Sequence, residues 1–370
     1  MKRRILELIT RSDWAGGQKV LYTLTRGIKE LYPEEFEVEV ACGKENGALI
    51  SELEKIGVKV HVIEDLVREI SPLKDLKAFL QIKRLVKRGR YDVVHLHSSK
   101  AGFLGRVAAK LCGVKNVVYT VHGWWSIDQY RGFKRRLFIL AERLAAMFCD
   151  KIVFLCERDL EKAKSWKIGK KDQYVVIPNA LMPIGKVQKG KLRRELGVPE
   201  NVKIVGNVAR LDAQKNPLRF LEVAKLVLEK RRDVVFVWIG GSVVDDAYGR
   251  RVEEWLARNR ETARFVFFLP FRKDAVELMG DFDVYLLTSD SEGMPLVVIE
   301  ALSLGVPVVS TDVGCVGEIP GRIFVGRSRE ELCGYVLDLL GGGLTRENLE
   351  APSVNFRTFV EKYLEIFRKV

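Results

Sequence analysis

The chain has 370 residues, 47% of them hydrophobic and 30% charged, which excludes a disordered polypeptide and gives length for about two domains, each with its own core. No apolar run approaches the roughly 18 residues that a membrane-spanning helix needs. The formal net charge of +13 is uneven: residues 1–180 hold 34 Lys and Arg against 22 Asp and Glu, the remainder 28 against 27, so the basic half is expected to face something anionic.

In chain order, MKRRILELIT reads as a first strand rather than a signal peptide, because no small-residue cleavage site follows; a cytoplasmic protein is expected. Strands are expected over 5–9, 36–41, 58–63, 92–97, 116–121, 151–155 and 174–177. Amphipathic helices fall between them, at 18–31, 73–87 and 101–111. Near-continuous apolar strands separated by helices predict a parallel sheet covered on both faces. The segment PNALMPIGKVQKG, 178–190, has two Pro, two Gly and no periodicity, so it reads as a linker. The pattern then restarts with five strand-like runs: VKIVGNVARL, DVVFVWIGG, RFVFFLP, FDVYLLTSD and VPVVS. NFRTFVEKYLEIFRKV closes the chain as an amphipathic helix. The expectation is two doubly wound α/β domains in series, with ligands at the carboxyl ends of the strands and a cleft between the domains as the site.

Cys42, Cys112, Cys149, Cys156, Cys315 and Cys333 show no CxxC pair and no ligand-like spacing with the histidines. They read as small buried hydrophobes, not as a zinc site or a disulfide framework.

Three stretches could carry chemistry. In LLTSDSEGMPLVVIEALSLG a strand ends near Thr288 and a helix is expected to start near Pro295, with the N–H groups of Gly293, Met294 and Leu296 unsatisfied. Such a helix end suits phosphate or sugar oxygens. Glu292 precedes the helix and Glu300 lies on it, so two carboxylates could grip two hydroxylated parts of one ligand; dipole compensation plus an incidental glutamate is the plainer alternative. In VARLDAQKNP, Arg210 and Lys215 flank a turn after a strand. Two cations there suit a departing diphosphate, although a solvated turn would look the same. In RSDWAGGQKV, Gly16 and Gly17 follow the first strand and would let the backbone approach a ligand.

These stretches, with HLHSSKAGFLGRVAA, TVHGW and VIPNA, resemble over nearly the whole length the retaining nucleotide-sugar glycosyltransferases of the GT-B fold, glycosyltransferase family four. The E-x7-E spacing of Glu292 and Glu300 is the most specific element. The resemblance implies two Rossmann-like domains facing across a cleft. Residues 1–182 would bind the acceptor, 183–353 would bind the donor, and a terminal helix, 354–370, would pack back on the first. It implies that Arg210 and Lys215 hold the donor diphosphate. Glu292 would bind the transferred sugar beside Gly293, Met294, Pro295 and Leu296, and Glu300 the ribose. Gly16 and Gly17 would approach the diphosphate, and His122 would lie near the reacting sugar. Glu292, His122, Arg210 and Lys215 are the residues expected to carry the chemistry. PNALMP departs from the family's usual hinge, and VGCVGEIPG from its usual glycine pair, leaving donor contacts near Glu318 unassigned.

Asp281 and Asp283 imitate a DxD metal motif but introduce a buried strand. No metal and no cofactor beyond the nucleotide-sugar co-substrate is expected. His95 and His97 share one face of a strand end, without an evident carboxylate or cysteine partner. The basic, apolar-interleaved stretches RGFKRRLFILAERLAAMFC and EKAKSWKIGKKDQY suit a helix on an anionic bilayer, with a solvated face as the alternative. No nucleic-acid module is present. The expected activity is transfer of a hexose or N-acetylhexosamine, from a UDP-sugar or else a GDP-sugar, to a glycan acceptor, with lipid-linked acceptors of surface polysaccharide or glycoconjugate synthesis as the expected class, at the inner face of a membrane. An epimerase of the same fold and a non-catalytic sugar-binding protein are the alternatives.

Overall fold

The computed structural model describes residues 2–44, 47–185, 187–241, 246–342 and 355–369. The chain divides into two compact units, Met1–Met182 with Val354–Val370, and Pro183–Ser353. Lys186 of the expected linker and residues 354 and 370 of the expected terminal helix lie outside the described residues.

The first unit runs β1 (Arg3–Ile9), α1 (Gly16–Leu31), β2 (Phe36–Cys42), α2 (Ala48–Lys55), β3 (Lys59–Val62), α3 (Pro72–Gly89), β4 (Val93–His97), α4 (Ser99–Leu111), β5 (Asn116–Val121), α5 (Trp125–Asp128), α6 (Gly132–Ala146), β6 (Lys151–Phe154), α7 (Glu157–Ser165) and β7 (Tyr174–Val176). All its strands pair in parallel, in the order β3-β2-β1-β4-β5-β6-β7. The order reverses between β1 and β4, where a doubly wound sheet opens its ligand crevice. Side chains alternate across the sheet. Leu6 and Leu8 of β1 join the core under α3 and α4, whereas Ile9 packs with Leu21, Leu49 and Leu53 on the other face. Glu7, between them, is fully buried.

The second unit runs α8 (Lys191–Leu196), β8 (Lys203–Val208), α9 (Pro217–Leu228), β9 (Val234–Ile239), α10 (Asp246–Arg258), α11 (Arg260–Ala263), β10 (Val266–Leu269), α12 (Ala275–Met279), β11 (Val284–Leu287), α13 (Leu296–Ser303), β12 (Val308–Thr311), β13 (Ile323–Gly326) and α14 (Arg329–Leu340). Its six strands lie in the order β10-β9-β8-β11-β12-β13, again parallel where they pair. Here the reversal falls between β8 and β11. Five of the six were expected. The sixth, β13, has only four residues, all but the last partly exposed, and so carries little apolar signal.

The terminal helix, α15 (Phe356–Phe367), buries Phe359, Val360, Tyr363, Leu364, Ile366 and Phe367 and packs on α1 of the first unit. Asn116 Nδ2 donates to the Ile366 carbonyl over 2.9 Å, fixing its end. Of the cysteines, Cys42, Cys149 and Cys333 are buried free thiols and Cys112 is a half-buried one; the expectation of unpaired apolar cysteines holds for these four.

Candidate functional site

At the switch point of the second unit, the loops after β8 and β11 are tied together. Asn216, in the left-handed conformation at φ 49°, caps α9 by accepting from the Arg219 N–H. Its Nδ2 donates to both carboxylate oxygens of Asp290, at 3.2 and 3.1 Å. Thr288 Oγ1 donates to the carbonyls of Lys215 and Asn216. The Asp290 N–H donates to the Gln214 carbonyl over 2.8 Å, and Gln214 Nε2 to that of Ser291 over 2.9 Å. These bonds seat two of the expected residues face to face: Lys215 Nζ lies 2.6 Å from Glu292 Oε1. The side chains are 16% and 7% exposed, so the pair is largely desolvated. Arg210 does not join it. Its NH2 lies 3.0 Å from Asp212 and 3.4 Å from Gln214 Oε1, on the same loop as Lys215, and the side chain is 26% exposed.

Helix α13 starts at Leu296, with Pro295 as the extended residue before it and no side-chain cap. The expected first-turn proline therefore sits one position outside the helix. Gly293 accepts from the Cys315 N–H over 2.8 Å. Gly314, at φ 51°, lies so close that a Cβ there would come within 2.3 Å of the Gly293 carbonyl. Met294 and Leu296 are buried. Glu300 lies in the middle of α13 and is 4% exposed. Burial raises the pKa of the Tyr285 phenol, and the carboxylates of Glu292 and Glu300 raise it further. Both glutamates thus act electrostatically on one buried phenol.

At the switch point of the first unit, Gly16 and Gly17 open α1, whose first turn has no acidic residue and no side-chain cap. A Cβ at Gly16 would meet nothing within 4 Å, and one at Gly17 would be in ordinary contact with the His122 ring at 3.7 Å and the Ile9 side chain at 3.8 Å. Chain packing therefore does not demand these glycines. Ser98, at the end of β4, has φ 63° and ψ 153°, a region that costs a non-glycine residue about 1–3 kcal/mol. Thr10 holds it through hydroxyls 2.7 Å apart.

The histidines form a cluster that the spacing did not reveal. His97 Nδ1 lies 2.8 Å from His122 Nε2, and His97 Nε2 lies 2.8 Å from Glu7 Oε2. His95 contacts Glu7 at 2.9 Å and Thr120 Oγ1 at 2.8 Å, and Thr120 reaches the Tyr363 hydroxyl at 3.1 Å. The expectation that His95 and His97 lack a carboxylate partner is therefore corrected. The missed signal was the acid in RRILELI: parallel register sets Glu7 opposite His95, and period-two alternation turns both to one face. Burial by itself would raise the pKa of the Glu7 carboxyl, but the two imidazoles override it and hold it at about 2. Burial and His95 depress His97 to about 4 against the pull of Glu7. Burial, then His97 and His95, push His122 well below its ordinary value. Glu7, His95 and His97 bring ligand-type atoms within 4.8 Å of one another, but all four ring nitrogens already have chain partners.

Asp281 accepts from the N–H groups of Leu192 and Arg193, and Asp283 from that of Ile204, beside Arg193 and Lys203. These aspartates secure α8 and the start of β8. The basic stretch expected to lie on a bilayer forms α6, which is inverted. It buries Glu142, 2.6 Å from the fully buried Arg106, and exposes Phe133 by 80%, Leu137 by 53%, Leu140 by 49%, Leu144 by 50% and Met147 by 76%. Arg136, Lys170 and Lys171 are exposed, but Arg135 is half-buried with its guanidinium over the Trp166 ring. Arg135 is thus not a free surface charge.

Residues 16–180 match the Glycosyl transferase 4-like domain and residues 188–337 match Glycosyl transferases group 1. The structure is similar to that of the Anabaena protein HepE in complex with UDP and glucose, with a TM-score of 0.81 at 20% identity over 99% of both chains; the two Rossmann-like units have the GT-B fold. A Campylobacter jejuni N,N'-diacetylbacillosaminyl-diphospho-undecaprenol alpha-1,3-N-acetylgalactosaminyltransferase is 27% identical over 86% of this chain and 88% of its own. The Escherichia coli UDP-Gal:alpha-D-GlcNAc-diphosphoundecaprenol alpha-1,3-galactosyltransferase is 35% identical over 77% of this chain and 74% of its own. The chain carrying the Lys215–Glu292 pair therefore belongs to the family of glycosyltransferases that join a 4-like domain to a group 1 domain.

Proposed function

We propose that the enzyme transfers a hexose or N-acetylhexosamine from a UDP-sugar, with GDP as the second choice, to a lipid-diphosphate-linked glycan acceptor in surface polysaccharide synthesis, with retention at the anomeric carbon. The observation that carries this reading is the desolvated Lys215–Glu292 pair at the strand-end switch point, with Arg210 beside it. A carboxylate for the sugar hydroxyls and an ammonium for the phosphate oxygens are thereby fixed next to each other. As the bond between the anomeric carbon and the diphosphate breaks, its electron pair passes to the leaving oxygen. Lys215, Arg210 and the α13 amides stabilise that charge. The acceptor hydroxyl attacks the same face and gives its proton to the leaving phosphate. Glu300 binds the ribose, and Gly16 and Gly17 leave room for the donor or acceptor. No metal is required, because side-chain cations and helix amides neutralise the diphosphate.

The acceptor assignment draws on the names of the Escherichia coli and Campylobacter relatives and on α6. A helix that buries an ion pair and exposes an apolar stripe needs an apolar partner. With exposed Lys134, Arg136 and Arg143 on the same helix, the partner with matching chemistry is an anionic lipid surface. No helix among the described residues is long and apolar enough to cross a membrane, so the attachment proposed is peripheral, on the cytoplasmic face. Residues 1–182 are assigned to the acceptor and 183–353 to the donor.

The test is incubation with UDP- and GDP-sugars, with and without a polyprenyl-diphosphate-linked N-acetylhexosamine, followed by NMR of the product. Lipid-dependent transfer from a UDP-sugar with retained configuration supports the proposal. Inverted configuration, epimerised donor, or binding without turnover overturns it.

A further inference from the structure

The hydrogen bonds around Glu7 assign every proton in its cluster. An ionised carboxylate only accepts, so the nitrogens facing Glu7, His95 Nδ1 at 2.9 Å and His97 Nε2 at 2.8 Å, must carry protons. His97, kept neutral by burial, then has a bare Nδ1. His95 Nε2 lies 2.8 Å from the Thr120 hydroxyl, which lies 3.1 Å from that of Tyr363. His97 Nδ1, being bare, can only accept, so His122 Nε2, at 2.8 Å, must donate to it. A neutral imidazole carries one proton, which leaves His122 Nδ1 as an acceptor with no partner among the described residues.

We propose that Glu7 is a positioning residue: acting through His97, it fixes His122 as the Nε2–H tautomer and so presents Nδ1 as a hydrogen-bond acceptor for a sugar hydroxyl. The assignment of that hydroxyl to a sugar rests on the proposed transferase reading; the tautomer does not. Glu7, His95 and His97 are each fully buried, whereas His122 is only partly buried and borders Gly17 at the start of α1. The chain thus runs from an interior carboxylate to a ligand-facing ring, the arrangement by which an orienting acid controls a histidine. The terminal helix takes part, since Tyr363 closes the far arm and its ring and that of Phe367 lie 5.2 and 5.4 Å from His95. Direct contact at hydrogen-bond distance favours this proton chain over a cation held by the same atoms.

The test is 15N NMR of histidine-labelled wild-type protein without substrate; only four histidines need assignment. The expected spectrum shows His122 protonated at Nε2 and bare at Nδ1, with His97 also protonated at Nε2. A His122 protonated at Nδ1, or exchanging between tautomers, overturns the proposal, as does a spectrum that changes on chelation of metal. In Glu7→Gln an amide N–H can donate to His97 Nε2, reversing the chain and leaving Nδ1 of His122 protonated. That variant is expected to lose kcat at least about tenfold, with donor KM within about twofold, and Glu7→Asp to recover part of the loss. An unchanged His122 tautomer in Glu7→Gln, or a KM effect alone, sinks the positioning role. Should no UDP-sugar be turned over by wild type, the transferase reading fails while the tautomer measurement still decides this one.

Discussion

Lys215 and Glu292, which are 77 residues apart, meet at 2.6 Å with both side chains mostly out of water. Each charge fixes the other's orientation across two loops, and in the proposed function the pair would meet one ligand together. Removing one partner strands the other as a desolvated charge, which costs about 3–5 kcal/mol where burial is complete and less here.

Lys215→Ala and Glu292→Gln are accordingly each expected to lower the thermal midpoint, and the double variant to lower it by less than their sum. A double-mutant cycle read by calorimetry measures the coupling. Lys215→Ala and Arg210→Ala are also expected to cut turnover at least tenfold, since each removes a charge-assisted bond worth roughly 1.5–3 kcal/mol. Additive midpoints would deny the pair its energetic role, and normal kinetics in both would remove the diphosphate assignment.

The two glutamates separate by ligand. Glu292→Gln is expected to damage transfer while leaving the affinity for free UDP nearly unchanged, because its proposed partner is the sugar. Glu300→Gln is expected to weaken UDP itself. Titration calorimetry with UDP distinguishes the two, and the opposite result would exchange their roles.

Much of this was legible in the sequence because it depends on local pattern. Continuous apolar strands and 3.6-residue helices set the element order, and Glu292, with α13 and its Glu300 behind it, stood beyond the end of a readable strand. What escaped depends on strand order or side-chain direction. Glu7 gains its meaning only once β1 lies beside β4, which no local period states. The Lys215–Glu292 pair needs β8 beside β11. The orientation of α6 was hidden because Arg106 and Glu142 look like ordinary surface charges until they are found buried together. Arg135, within the basic stretch expected to face a bilayer, shows the converse, its guanidinium lying over the Trp166 ring.

Acid should act on the buried cluster, where Glu7, His95, His97, His122 and Tyr363 are the titratable groups in contact. The folded pKa of His97 is depressed from 6.5 to about 4, so its neutral form contributes stability above pH 6.5 that is lost as pH falls toward 4. The Glu7 carboxyl, depressed from 4.5 to about 2, adds stability above pH 4.5 that is lost on further acidification. The thermal midpoint is therefore expected to fall progressively below pH 6.5. Turnover should show no acid limb near 6.5, because His122 stays neutral well below it. An acid limb at the ordinary histidine value that disappears in His122→Gln would contradict the depressed pKa.

The proposed membrane attachment would have two separable components on the first unit. The exposed stripe of α6, Phe133, Leu137, Leu140, Leu144 and Met147, supplies apolar area, each side chain contributing up to about 1.5–3 kcal/mol when fully buried. Exposed Arg136, Lys170 and Lys171 each add about 1 kcal/mol at an anionic surface, and salt screens that part over about 10 Å at 0.1 M. The enzyme is expected to pellet with vesicles containing anionic lipid, more weakly with neutral ones, and to be partly released by salt. Changing Arg136, Lys170 and Lys171 to Glu should abolish the preference for anionic lipid and spare donor hydrolysis. Changing Phe133, Leu137 and Leu140, which are 80%, 53% and 49% exposed, to Ser should reduce binding at every salt concentration. Arg135→Glu, by contrast, should cost stability, because its guanidinium lies over Trp166. Equal sedimentation with neutral and anionic vesicles would remove the electrostatic component. Failure to bind either, together with a dimer that the three serine substitutions dissociate, would make a second copy of the chain the occupant of the α6 face.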